Sequence, residues 1–266
     1  MSRIARFAMP EGAVHYGLLE GNHTLHIIEG DIFGDWETTG ETVPLNTVRL
    51  LAPVDPPNVI AIGLNYRAHA RESNMALPER PVIFIKATTS VCGPDDPIIL
   101  PAVAPDEVDY ECELAIVIGK RARNVSEEQA LDYVWGYTCS NDVSARDCQL
   151  RLDTQWARGK SFDTFAPIGP WVETDLDPDN VGIRTRLNGE TMQDSNTNDL
   201  IFSCRQIISY ISHSMTLLPG TVIMTGTPSG VGFARKPPVF LRPGDVVEIE
   251  IDGIGVLSNP VIAENE

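Results

Sequence analysis

The sequence predicts a strand-rich α+β protein with a small β module at its front. Three observations predict it. Short apolar runs of strand length recur along the chain between Gly, Pro and Asn turns, only one segment after the middle has a good helical period, and a proline cluster at 52–57 divides a short front part from a longer remainder.

Residues 3 to about 50 alternate short apolar stretches (14–19, 24–28) with turns such as Glu20-Gly21-Asn22, the pattern of small antiparallel strands. Ala52-Pro53-Val54-Asp55-Pro56-Pro57 follows. Proline fixes the backbone and cannot donate to a ladder, so the boundary is placed here: a small N-terminal domain over 1–55 and a main domain over 56–266. Beyond it, apolar runs at 59–62, 82–85, 114–118, 134–139 and 221–224 read as strands of a central β structure. Residues 184–187 before Asn188-Gly189 predict a tight hairpin, and Arg242-Pro243-Gly244-Asp245 opens a strand over 246–251. The helical period is Ile201, Cys204, Ile207, Ile208 and Ile211, an apolar face whose role is packing.

Composition narrows the function classes. With 266 residues, 42% hydrophobic and 21% charged, the chain can bury a core without disulfide staples. Twenty Lys and Arg against 37 Asp and Glu leave a formal net charge of -17, which argues against a nucleic-acid backbone or an anionic membrane as partner. An anionic substrate would then need local positive charge, from a metal ion or selected Lys and Arg. There is no apolar leader and no run near the roughly 18 residues of a bilayer span. Cys92, Cys112, Cys139, Cys148 and Cys204 form no C-x-x-C pair and read as reduced, buried thiols, so the expected location is the cytoplasm.

Five stretches carry chemistry. In Asp109-Tyr110-Glu111-Cys112-Glu113-Leu114, strand alternation puts Glu111 and Glu113 on one face and Cys112 on the other. Two close carboxylates repel unless a cation separates them; two solvated glutamates at an exposed strand end would give the same motif. Asp142 stands near the end of the next strand, and Ser144 with Asp147 resembles a helix-opening capping box. Glu111, Glu113 and Asp142 together would form an all-oxygen set suited to magnesium, manganese or calcium rather than zinc. In Gly63-Leu64-Asn65-Tyr66-Arg67-Ala68-His69-Ala70-Arg71-Glu72, a helix would pair His69 with Glu72 at i and i+3 as a general-base dyad, or as a plain surface pair. Lys160, in Arg158-Gly159-Lys160-Ser161-Phe162-Asp163-Thr164, offers a cation to a substrate carboxylate, unless it is a solvated loop lysine. The glycine-rich Thr225-Gly226-Thr227-Pro228-Ser229-Gly230 lacks a Walker A ending, so its N–H groups and the Thr227 hydroxyl suit a carboxylate or simply a turn. No G-x-S-x-G elbow supports a serine hydrolase.

Taken together, G-L-N-Y-x-x-H-x-x-E, P-V-I-F-I-K, D-Y-E-x-E-L-A-I-V-I-G, N-D-V-S-A-R-D-x-Q, R-G-K-S-F-D-T-F-x-P-I-G-P and T-G-T-P-S-G-V-G closely resemble the fumarylacetoacetate hydrolase family, over roughly 59–261. The resemblance implies a mixed β-roll with a small N-terminal domain, paired as a homodimer. It implies a magnesium-type ion on Glu111, Glu113 and Asp142, a lid helix carrying His69 and Glu72, catalytic Lys160, and substrate contacts from Arg146, Gln149, Thr164 and Thr227. Hydrolases of the fumarylacetoacetate type carry a further aspartate upstream of the lid histidine, where this chain reads Ile62-Gly63-Leu64-Asn65; the layout is closer to members acting on acylpyruvates, oxaloacetate or hydroxymuconate-type dienedioates. The expected function is metal-dependent hydrolysis of a carbon–carbon bond in a small 2,4-dioxo acid, a 2-oxo acid of the acylpyruvate kind. The alternatives are isomerisation or decarboxylation of a 2-hydroxydienedioate or oxaloacetate-type substrate, and, from another class, a metal-dependent ligand-binding protein without catalysis.

Overall fold

Along the strand Cys112–Ile118 every side chain is buried, and alternate positions serve different layers. Cys112, Leu114, Ile116 and Ile118 face a core shared with a second sheet, while Ala115 and Val117 join a smaller cluster on the other side. Covering both faces is what makes the segment read as one continuous apolar run.

The computed structural model describes residues 2–264. Strands take 41% of the chain and helices 17%, as the strand-rich expectation required. Cys112–Ile118 lies well inside a mixed twelve-stranded sheet, in which Trp36–Pro44, Thr24–Gly30, Val14–Glu20, Arg3–Ala8, Ala166–Glu173, Val134–Asn141, Cys112–Ile118, Val222–Met224, Val59–Gly63 and Val82–Lys86 are successive neighbours. Short strands Arg49–Leu50 and Val91–Cys92 add to it at Arg3–Ala8 and Ala166–Glu173. A second sheet runs Glu190–Asn196, Gly182–Leu187, Val246–Ile251, Gly255–Ala263, Ile98–Leu100, and its Ile183, Val247 and Ile249 close the shared core. The predicted hairpin is present: Asn188 at φ 54° and Gly189 at φ 82° supply the left-handed pair that a tight I′ turn needs.

The front strands extend the large sheet, because Arg3–Ala8 pairs with Ala166–Glu173 through Arg3↔Glu173 and Ile4↔Val172. The proline connector is packed, with Val54 1% exposed and Asp55 accepting from Arg6 Nη1 at 2.8 Å. Trp36–Pro44 is exposed along almost all of its length, so it has no apolar alternation by which to be read as a strand.

Two local expectations are corrected. The helix occupies Cys204–Ser214 and excludes Ile201, because Ser203 closes it: Ser203 N–H donates to Gln206 Oε1 at 3.0 Å and Gln206 N–H to Ser203 Oγ at 3.4 Å, a reciprocal capping box. No such box forms at Ser144 and Asp147. Ser144–Ala145 pairs instead with Val108–Asp109, the Ser144 hydroxyl donates to the Asp142 carbonyl at 2.8 Å, and Asp147 alone caps the helical turn Cys148–Leu152. All five cysteines are buried and free. Among the described residues no helix is long and apolar enough to cross a membrane.

Candidate active site

Strand register builds the acidic centre. Glu113 sits opposite Ser140 and Cys112 opposite Asn141, and one residue beyond this ladder Asp142 N–H donates to the Glu111 carbonyl at 2.9 Å. Residues two apart share a face, so Glu111, Glu113 and Asp142 project together while Cys112 points into the core. One oxygen of each lies within 4.8 Å of the others. Glu113 and Asp142 are 1% exposed and Glu111 6%, so the glutamates are not a solvated strand end.

Cations surround two of these carboxylates. Lys160, which ends the short helix Ala157–Lys160, is buried rather than solvated and donates to Glu111 Oε2 at 2.8 Å and Asp142 Oδ2 at 2.6 Å. Lys86, at the end of Val82–Lys86, pairs with Asp142 Oδ1, and Arg146 Nη2 lies 2.7 Å from Glu111 Oε1. Lys86 escaped the sequence reading because it closes the apolar run of P-V-I-F-I-K and meets Asp142 only through tertiary folding. Asp109 escaped it too: wholly buried, it holds Arg146 Nε at 2.9 Å and accepts from Gly232 and Phe233 N–H at 2.8 and 3.0 Å.

The electrostatic consequences differ between neighbours. Burial pushes the Glu111 carboxyl up, but Lys160 and Arg146 outweigh it and hold it well below the usual range. Burial also pushes Glu113 up, and there the Asp142 and Glu111 charges add to it, leaving Glu113 well above the usual range. Burial opposes the Lys160 ammonium, yet Asp142 and Glu111 prevail and raise it. Burial lowers Lys86 in spite of Asp142. The hydrogen bond that Glu113 receives comes from Gly226 N–H at 2.6 Å, and no lysine or arginine among the described residues pairs with it. A buried carboxylate so weakly compensated, beside two others, is the oxygen-rich donor set that a hard divalent cation takes; the residues present fit such an ion.

The helix Arg67–Glu72 brings a histidine to the same place. Asp199 caps it, accepting from Ala68 N–H at 2.8 Å. His69 Nδ1 meets Glu72 Oε2 at 3.2 Å, leaving Nε2 as the nitrogen available to the cavity that His69 lines. Glu72 does not line the cavity; its oxygens accept from Gly230 N–H at 2.9 and 3.1 Å, which latches the helix to the glycine-rich loop. That loop is shaped by Asn65, whose Nδ2 donates to the Thr225 carbonyl at 2.7 Å. Gly226 is at φ +102°, and a Cβ there would fall 2.6 Å from Asn65 Cβ, so the close approach that lets Gly226 N–H reach Glu113 depends on glycine.

The cavity holds about 110 Å³. The acidic trio, Lys160, Arg146, Gln149 and Thr227 line it together with His69. Gln149 accepts from Arg146 Nη1 at 2.8 Å, and Phe84 packs edge-on against Trp156 at 5.6 Å on the cavity wall. Thr164 is not brought there. Its backbone is at φ 67°, and its hydroxyl accepts from Ile99 N–H at 2.8 Å, so it braces the Lys160 segment against a neighbouring strand.

Because Lys160 neutralises two buried carboxylates, Lys160→Met is expected to cost the metal-free protein about 3–5 kcal/mol. Added magnesium should restore part of this, which thermal melts with and without a chelator would read; equal melting of variant and parent would contradict the pairing.

The model described as "Fumarylacetoacetate (FAA) hydrolase C-terminal" matches residues 58–262. The chain belongs to the fumarylacetoacetate hydrolase family. It is an enzyme of that family, and a second model, "Rv2993c-like, N-terminal", matches residues 2–53. Oxaloacetate tautomerase fahd2, mitochondrial, of Xenopus laevis is 50% identical over 222 residues, 82% of this chain and 69% of the relative. The crystal structure of 2-hydroxyhepta-2,4-diene-1,7-dioate isomerase from Mycobacterium marinum matches with a TM-score of 0.90 at 44% identity, covering 100% of both chains. That of 5-carboxymethyl-2-hydroxymuconate delta-isomerase from Mycobacterium smegmatis matches with a TM-score of 0.89 at 46% identity, covering 98% of this chain and 100% of the other.

Proposed function

We propose that this protein is a divalent-metal isomerase that interconverts the keto and enol forms of a small 2-oxo acid of the oxaloacetate type. The observation that carries the reading is that three buried carboxylates and His69, whose ring Glu72 holds from outside, meet at one small cavity. At about 110 Å³ it is well below the roughly 300–1,000 Å³ of sites for drug-sized ligands. The relatives quoted carry tautomerase and isomerase names, which favours isomerisation over the hydrolysis expected from the sequence.

Glu111, Glu113 and Asp142 would hold the ion, magnesium by the chemistry of the donors; bound there, it supplies Lewis acidity toward the oxygen on which enolate charge develops. Keto–enol interconversion moves one proton between carbon and oxygen and changes nothing else in the atom count. His69 Nε2 would carry that proton, with Glu72 fixing the ring through Nδ1. Lys160 keeps positive charge beside the reacting acid, and Arg146, Gln149 and Thr227 offer polar groups to its oxygens. Phe84 and Trp156 give the cavity an aromatic wall.

The test follows enol-oxaloacetate by ultraviolet absorbance in magnesium buffer, with product analysis on acetylpyruvate, fumarylpyruvate and a hydroxyheptadienedioate. Accelerated ketonisation without loss of carbon dioxide is the expected result. Pyruvate released from an acylpyruvate faster than oxaloacetate tautomerises would replace this reading with hydrolysis, and tight binding without conversion of any of the four compounds would replace it with a binding protein.

A further inference from the structure

Gln193 lies on Glu190–Asn196 in the second sheet, opposite Thr185, and is 1% exposed. It is a polar side chain in a sheet whose Ile183, Val247 and Ile249 fill the shared core. Its amide oxygen accepts from Cys112 N–H at 3.0 Å and from the Thr185 hydroxyl at 2.7 Å. Its amide nitrogen donates to Thr227 Oγ1 at 2.9 Å and to the Pro228 carbonyl at 2.9 Å. A backbone N–H can only donate and a backbone carbonyl can only accept, so Cys112 and Pro228 fix which end of the amide is which.

That orientation has a chemical consequence at the cavity. Thr227 Oγ1 receives a hydrogen from Gln193 and keeps its own single proton to give. Thr227 is 4% exposed and lines the cavity beside the acidic trio. The same amide touches Cys112, between Glu111 and Glu113, and Pro228, two residues before the Gly230 N–H that holds Glu72.

We infer that Gln193 is a positioning residue that makes the Thr227 hydroxyl a hydrogen-bond donor to an anionic oxygen of the bound acid. This rests on the proposed placement of a 2-oxo acid in this cavity. The amide reaches from the second sheet to the loop over the site, so the polarity of the cavity hydroxyl is set by a side chain that never meets substrate.

Oxalate, a planar dianion resembling a 2-oxo acid enolate, is titrated by calorimetry into the magnesium-loaded protein, with kcat and KM measured alongside. Thr227→Val should weaken oxalate and raise KM by about 10- to 100-fold, the scale of a hydrogen bond to a charged group, with a smaller change in kcat. Thr227→Ser should stay near the parent. Gln193→Glu has the same shape but offers Thr227 an acceptor in place of a donor, and should reproduce the Thr227→Val loss. The double variant Thr227→Val/Gln193→Glu should lose no more than either single change. Gln193→Met, which donates nothing, leaves the Thr227 hydroxyl its proton but no longer orients it, and should lose less affinity than Gln193→Glu. A lowered melting temperature with oxalate affinity and KM intact, or losses that add in the double variant, would overturn the inference and leave a purely structural glutamine. Should neither Gln193 variant fold, equal oxalate affinity in Thr227→Val and Thr227→Ser would overturn it on the donor side. No oxalate binding and no turnover in the parent would overturn the functional reading and this inference together, whereas binding in the parent that no variant disturbs overturns the inference alone.

Discussion

Glu113→Gln is expected to abolish magnesium binding and to lower turnover by about a thousandfold or more, since a Lewis-acidic ion contributes several kcal/mol and each 1.36 kcal/mol is a factor of ten. Glu113 is the informative member of the trio because Lys86, Lys160 and Arg146 compensate Glu111 and Asp142 but not Glu113. Its removal should therefore cost the metal-free fold little. Without the ion, burial and the neighbouring carboxylates favour the neutral acid at Glu113, and a glutamine amide is neutral too, so the metal-free variant should melt no lower than the parent. Affinity should also depend on pH in a stated direction. Burial and the neighbouring carboxylates push Glu113 up, so the ion must displace a proton from it; apparent affinity strengthens as pH rises and weakens as it falls. Calorimetric titration of the chelator-stripped protein at two pH values reads both claims. Full activity after chelation, shared by parent and variant, would remove the metal centre from the account.

His69→Ala should lower turnover by about 10²- to 10⁴-fold while leaving magnesium affinity unchanged, the signature of losing a general base without disturbing the ion site. The separation is structural. His69 stands on the helix Arg67–Glu72, whereas the ion ligands come from the end of one sheet strand and the residue following its neighbour. Glu72→Gln should have a smaller effect, because the substituted amide can still accept from Gly230 N–H and keep the helix latched while it loses the charge that steers the ring. Unaltered turnover in His69→Ala would shift the proton to another carrier, and lost magnesium binding in it would mean that helix and acidic trio are not independent.

The parts of the site that were legible in the sequence are those with a local rule. Glu111 and Glu113 share a face by strand alternation, and Cys112 takes the other, where it packs in the core. His69 and Glu72 meet by helical spacing. The wording of the motifs, rather than any spacing, pointed to Asp142 and Lys160 as their companions. Thr164 shows the limit of that wording: it belongs to the same motif as Lys160, yet a left-handed backbone at φ 67° turns its hydroxyl to Ile99. Ser144 likewise had the residue type and spacing of a cap but was taken up by pairing with Asp109.

Sequence by itself determined the strand-rich class, the facing of each carboxylate on its strand, the hairpin at Asn188-Gly189 and the chemistry available at each motif, because alternation, helical period and turn preference act over a few residues. Only the tertiary structure decided which charges compensate which. Lys86 reaches Asp142 from an edge strand, Asp109 anchors Arg146, and Gln193 crosses from the second sheet to hold Cys112 and Thr227. Electrostatic and hydrogen-bond energies depend on separation in space and on burial, and neither is a function of distance along the chain.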